Sequence, residues 1–242
     1  MGSHATSFGV LGPVAAFDQH GAVVPVVGRR QERLLCALLA ASPHAVSADR
    51  LIEAVWPNDP PSGPGPLRTV ASRLRSSLGG LIVSRGTGYA IEGCSIDSHG
   101  FEALSARSRE ALPLEATRLL DEALGLWRGR PFEELADVDW VQPLAVRLNE
   151  LRCEAVERQA EALIELCELG SAAAVLEAHC ISEPLRERPH GLLMTAYARD
   201  GRAADARRAS LSRRFRPCFR HERPARRGRG VQPLVAAPGS LA

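Results

Sequence analysis

The sequence contains no lysine, so all 30 of its basic residues are arginine. With 21 glycines and 17 prolines beside it, this absence reads first as GC-rich coding bias and only second as function. It also removes the lysine that a phosphate-binding loop needs, and no glycine-rich loop of that kind is present. No serine sits in a Gly-x-Ser-x-Gly elbow. Aromatic residues are scarce at 5%, with three tryptophans and two tyrosines, too few for a platform that stacks single-stranded bases. The longest apolar run, Leu34 to Ala41, falls well short of the roughly 20 residues that cross a bilayer. Met1-Gly2-Ser3-His4 carries neither a basic run nor an apolar core, so no secretory signal and a cytoplasmic location are expected. Six cysteines (Cys36, Cys94, Cys153, Cys167, Cys180 and Cys218) are scattered rather than framed, which fits reduced thiols better than a disulfide scaffold. Seven histidines are equally dispersed. His179-Cys180 with Cys218-x-x-His221 gives the nearest approach to a zinc spacing, and it reads as incidental because both pairs fall in loop-like stretches. No catalytic residue, metal or cofactor is therefore expected.

The remainder is of ordinary amount but uneven placement. Hydrophobic residues make up 45% and charged ones 24%, as in soluble globular proteins, and 242 residues allow one or two domains. Residues 1–93 carry eight arginines against six acids, a net charge of +2. Residues 94–206 carry twelve arginines against 21 acids, a net −9. Residues 207–242 carry ten arginines against Glu222 alone, a net +9. An acidic middle is repelled by a phosphate backbone, so any nucleic-acid surface belongs to the first or last segment.

In the first segment, Phe8 to Gly12, Val14 to Phe17 and Ala22 to Val27 alternate like short antiparallel strands between the turns Gly12-Pro13 and Asp18-Gln-His-Gly21. The period then changes. Leu34, Leu35, Leu38 and Leu39 mark a first helix ended by Ser42-Pro43. Ser47 reads as the N-cap of a second, whose buried face is Leu51, Ile52, Val55 and Trp56. Pro66 opens a third, running to Leu78 before Gly79-Gly80. Leu81 to Arg85, Gly86-Thr87-Gly88 and Tyr89 to Ile91 form a hairpin. Strands, three helices and a hairpin in this order make a winged helix. In the third helix Leu67, Val70, Ala71, Leu74 and Leu78 form one apolar stripe. Arg68, Thr69, Ser72, Arg73, Arg75 and Ser76 occupy the other arc, with no acid between Leu67 and Leu78. Guanidinium forks pair with guanine O6/N7 or with phosphate, and short hydroxyls approach either, so this arc suits a major groove of double-stranded DNA. Arg85 and Thr87 in the hairpin add a contact to phosphate or minor groove, with Gly86 and Gly88 permitting close approach. The plainer alternative, a solvated arginine face, is weakened by that hairpin.

On Phe8-Gly-Val-Leu-Gly-Pro13, Arg30 to Leu39, Ser47-Ala-Asp-Arg-Leu-Ile-Glu-Ala-Val-Trp56, Val70-Ala-Ser-Arg-Leu-Arg75 and Val83-Ser-Arg-Gly-Thr-Gly-Tyr89, residues 8–93 resemble the OmpR-type winged helix. The chain to about residue 206 resembles the Streptomyces antibiotic regulatory protein family. That resemblance implies sequence-specific binding to promoter repeats of a biosynthetic gene cluster and activation through RNA polymerase contact, with a homodimer on DNA as one arrangement. Gly63-Pro-Gly-Pro66 departs from the Ala/Asn-rich helix start usual there.

Residues 97–206 read as almost wholly helical. A pair of helices ends at Gly129-Arg-Pro131, a long helix runs from Trp140 to about Leu169, and Gly170, Pro184 and Gly201 separate shorter ones. Helix pairs that bury their faces only by stacking form a tetratricopeptide-like array. Ala123-Leu-Gly-Leu-Trp-Arg-Gly129, Asp139-Trp140 and Pro184-Leu-Arg-Glu-Arg188 resemble the bacterial transcriptional activator domain. The expected fold is thus mainly α with small β elements: a winged helix over 1–93, an all-α array over 97–206, and an Arg-rich tail over 207–242. For the tail three readings stay open: a disordered basic arm, a variant closing helix, or the product of a shifted reading frame, which the abrupt change near Ala206 favours. The expected function is a DNA-binding transcriptional regulator. A protein-interaction adaptor with little DNA affinity is the rival, and a ligand-gated regulator the third possibility.

Overall fold

A computed structural model of the chain describes residues 5–214. It is mainly helical, with two small sheets. Strands β1 (Ala5–Gly9) and β2 (Ala15–Asp18) pair antiparallel with Phe8 opposite Ala16, and β3 (Val23–Val24) extends them. Asp18 shapes the β2–β3 turn, its Oδ1 accepting from the His20 and Ala22 N–H groups at 2.8 and 2.9 Å. The third strand is shorter than the run Ala22 to Val27 promised, because Pro25 brings no N–H to the ladder. Helix α1 (Arg29–Ala41) follows, then β4 (Val46–Ser47), α2 (Ala48–Val55) and α3 (Gly65–Ser77). Ser47 caps α2 as expected, its Oγ accepting from the Arg50 N–H at 3.5 Å. Strands β5 (Ile82–Arg85) and β6 (Gly88–Ile91) form the hairpin, and β4 lies on the free edge of β6. That pairing is why residue 88 is glycine: a Cβ there would collide with the Val46 carbonyl. Gly88 thus serves contact within the sheet rather than approach to a ligand, while Gly86, at φ 57° with open space around it, makes the turn.

The short β7 (Ser95–Ile96) returns the chain to β1 as its parallel neighbour. Helices α4 (Asp97–Arg107), α5 (Pro113–Gly125), α6 (Gln142–Glu165), α7 (Leu169–Ser182), α8 (Glu187–Arg199) and α9 (Ala203–Arg214) then each pack on the next, with a 3₁₀ turn at Glu133–Leu135 before α6. The break after α6 differs from expectation. Gly170 lies inside the first turn of α7, and the chain turns at Cys167, whose φ is 61°. The Cys167 N–H donates to the Ile164 carbonyl at 3.1 Å and the Glu168 N–H to the Leu163 carbonyl at 2.9 Å. This is a Schellman closure made without glycine, so no residue type announced it. Helix α9 runs past the boundary placed at residue 206 as far as Arg214, since no proline occurs before Pro217. The rest of the expected tail, with Cys218 and His221, lies outside the described residues.

Two hydrophobic cores organise the chain. The second holds Ala160, Leu163, Leu176, Leu193, Ala196 and Tyr197 between α6 and α8. The first is larger and runs from Phe8, Leu11, Leu34, Leu38, Leu67 and Leu74 into Phe101, Leu120, Phe132 and Leu135, straight across residues 93–97. Polar links reinforce that seam. Asp97 accepts from the Val10 and Leu11 N–H groups at 2.8 and 3.2 Å. The Leu11 carbonyl accepts from the Arg128 and Gly129 N–H groups at 2.7 and 3.2 Å, and Glu134 Oε1 from the Val14 N–H at 2.6 Å. Gly12 allows this approach, because a Cβ there would lie 2.9 Å from the Gly129 nitrogen. Arg33, 4% exposed, donates from Nε to the Ala54 carbonyl and from Nη1 to the Glu134 carbonyl, both at 2.6 Å, and pairs with Asp137 at 2.9 Å. Among the described residues no helix is long and apolar enough to cross a membrane.

Candidate nucleic-acid interface

Helix α3 is seated by Leu67, Val70, Ala71 and Leu74, all buried, each large one contributing about 1.5–3 kcal/mol by leaving water. Pro66 stands in its first turn, and the preceding Pro64 is in a helical conformation at φ −77°, ψ −4°, so the helix starts at Gly65, one residue before the Pro66 start expected from the sequence. The opposite face is open. Arg68, Thr69, Ser72, Arg73 and Ser76 are exposed and Arg75 is half-buried. Among the described residues no carboxylate pairs with Arg68 or Arg73. Thr69 Oγ1 donates to the Gly65 carbonyl at 3.2 Å and Ser76 Oγ to the Ser72 carbonyl at 3.1 Å, which occupies each hydroxyl proton and leaves oxygen lone pairs outward.

Two of the sequence-predicted residues are already engaged. Arg75 bends toward the hairpin, donating from Nε to the Ile82 carbonyl at 2.8 Å and from Nη2 to Ser84 Oγ at 3.3 Å, so it fixes α3 against β5. Arg85 forms a forked pair with Glu92, from Nη2 at 2.8 and 3.0 Å and from Nε at 3.0 Å. Both partners are exposed, at 60% and 44%, so the pair is weak and separable. Thr87 stands exposed at the hairpin turn. The face therefore offers Arg68 and Arg73 as available guanidiniums, three hydroxyl residues beside them, and a hairpin arginine held by a carboxylate.

The spacing that resembled half a zinc site has another use. His179 and Cys180 lie in α7, not in a loop, and His179 is buried facing Glu157 Oε1 at 3.8 Å. Glu157, 1% exposed, accepts from Arg186 Nε at 2.9 Å, and Arg186 reaches Glu150 as well. Arg188 pairs with Glu161 at 2.7 Å and approaches Glu157 at 3.7 Å. Hydrogen bonding to Glu157 holds Arg186 protonated far above its usual range. Burial lowers His179 from its ordinary value, partly opposed by Glu157. Burial also pushes the Cys153 thiol up to about 11. Among the described residues no three His, Cys, Asp or Glu side chains converge as a metal site. The cluster clamps α8 onto α6 and α7.

Residues 96–212 match the family model described as the bacterial transcriptional activator domain. The chain is 37% identical over 215 residues to "Regulatory protein AfsR" of Streptomyces coelicolor, and 31% identical over 214 residues to "Transcriptional regulator RedD" of the same organism. It belongs to the Streptomyces antibiotic regulatory protein family. Its relatives there include "Transcriptional regulatory protein EmbR" of Mycobacterium tuberculosis, 32% identical over 213 residues. The solved structure of EmbR with a low-affinity phosphopeptide superposes at a TM-score of 0.77 and 30% identity, covering 87% of this chain and 60% of that one. The alignments take in 84% of this chain but 21% of AfsR, and 82% of this chain but 55% of EmbR, so the chain corresponds to part of these longer family members.

Proposed function

We propose that residues 5–96 act as a winged helix whose α3 enters the major groove of double-stranded DNA, and that the chain is a transcriptional regulator. The observation that carries this reading is the exposed outer arc of α3. Arg68 and Arg73 there have no carboxylate partner among the described residues, Thr69, Ser72 and Ser76 stand beside them, and the underside is locked into the core. Arg75 positions the helix. Arg85 and Thr87 meet the backbone or minor groove from the hairpin once Arg85 exchanges Glu92 for phosphate. Helices α4 to α9 form the tetratricopeptide-like array, whose acidic character directs it to protein rather than nucleic acid. Family membership supports activation of a biosynthetic gene cluster from promoter repeats through RNA polymerase, with pairing of two copies on DNA and a cytoplasmic location. The test is a mobility shift, titrated with salt, on duplexes selected by the protein from a random pool. Retention that falls steeply with salt and depends on sequence is expected; its complete absence would favour the adaptor reading.

A further inference from the structure

The α3 face is bordered by a basic cleft that the motifs did not disclose. A groove of about 460 Å³ runs between the first turn of α1 and the N-terminal half of α3, with Arg29, Arg30, Thr69 and Arg73 on its walls and no carboxylate among its lining residues. Its floor is Gly28, the residue before α1, at φ 105° and with no side chain to cap the helix. The Gly28 carbonyl takes the Gln31 and Glu32 N–H groups at 2.9 and 3.1 Å, which leaves the Arg29 and Arg30 N–H groups facing outward. Arg30 is held in place, its guanidinium 5.4 Å from the centre of the buried Trp56 ring. The buried Arg33 is not part of this groove: it lines the neighbouring cleft, where it pairs with Asp137 at 2.9 Å. The neighbouring cleft on the far side of Trp56 shares Arg29 and Arg30 but is also lined by Asp59 and Asp137, so an anion is favoured only on the α3 side.

We propose that this cleft seats a backbone phosphate of the bound duplex, gripped by Arg29, Arg30 and Arg73. The proposal rests on the winged-helix reading and extends it to α1. A helix lying in a major groove has a phosphate wall on either side, and phosphate contacts fix register without reading sequence. Guanidinium forks and the open N–H groups of a helix start are the donors a phosphate takes. Arg73 then divides its fork between a base edge and this phosphate, or gives it wholly to the latter.

The experiment measures fluorescence anisotropy of the full chain with a labelled 30-base-pair duplex of random sequence over a range of salt concentrations. Both α1 arginines are exposed, so Arg29→Ala/Arg30→Ala leaves the fold intact, as a thermal melt will verify. The double variant should bind several-fold more weakly, and its slope of log affinity against log salt should be shallower by about 0.9 for each phosphate no longer neutralised. Arg30→Lys should recover part of the slope. Arg107→Ala/Arg199→Ala, the same charge change on the helical array, should leave it unaltered. Equal effects from the two double variants, or no effect from the first while Arg68→Ala weakens binding, would overturn the phosphate site and leave the winged helix standing. No salt-dependent binding by the unaltered chain would overturn both.

Discussion

Arg73 and Arg75 are two positions apart in α3 and do different work. Arg73 projects from the exposed arc, whereas Arg75 crosses to the Ile82 carbonyl. Arg73→Ala should weaken binding to a selected duplex; an equal loss on random duplex would assign it to backbone rather than base. Arg75→Ala should lower stability by about 1–2 kcal/mol, the cost of losing a charged donor from a partly buried carbonyl, measurable by urea unfolding. Glu92→Gln should free Arg85 and tighten DNA binding by up to about fivefold, given that exposed pairs contribute about 0–1 kcal/mol. The gain should vanish in Arg85→Ala and shrink as salt rises. If anisotropy shows no gain, Arg85 does not touch the duplex. Helical spacing was enough to set every one of the α3 arginines on the outer arc. It could not say which would turn inward, because that depends on where the chain returns after Gly80, a tertiary fact. Nor could it single out Glu92, seven residues along from Arg85 and beside it only once the hairpin has formed.

Among the elements, α6, α7 and α8 are joined by charge as well as by apolar contact. Glu157→Ala should destabilise this unit by about 1–3 kcal/mol, because it takes the buried carboxylate away from Arg186 Nε and from His179, while Arg186 keeps Glu150 and Arg188 keeps Glu161; urea unfolding followed by circular dichroism would measure it. His179 adds a pH response. Facing it are Glu157, Arg152 and Cys153 from α6, and Glu183 and Arg186 beyond its own helix. Its folded value lies below the ordinary one, so the unfolded chain takes up the proton first. Its contribution is therefore complete above the unfolded value of about 6.5 and is lost as pH falls through the folded value. The melting temperature should drop further between pH 7.5 and 5.5 in the native chain than in His179→Gln, and equal drops would refute the assignment. The sequence displayed the order of helices and most of their buried faces, since Leu148, Ala155 and Ala162 fall on the inner side of α6. The end of α6 was illegible because a cysteine adopts the left-handed conformation that glycine usually marks.

At the scale of the whole molecule, strands, three helices, a hairpin and a helical array were all readable from periodicity and turn residues. The joint between them was not. Asp97, Arg128 and Glu134 look in sequence like ordinary surface charges, yet they tie the strand and loop at Gly9–Val14 to the array. A fragment ending at residue 96 would lose Phe101, Phe132 and Leu135 from its core and leave Val10 and Leu11 with unpaired N–H groups. It should melt well below the intact chain and bind the random duplex more weakly than the intact protein at the same temperature.

The shared core has a consequence for promoter architecture. Under the proposed function, a winged helix welded to the helices behind it cannot swivel, so those helices would keep a fixed azimuth about the duplex axis. Moving the recognised site by about five base pairs should carry the array to the opposite side of the DNA and silence a reporter, and a shift of a full helical turn should restore it. A head on a free tether would tolerate both displacements alike.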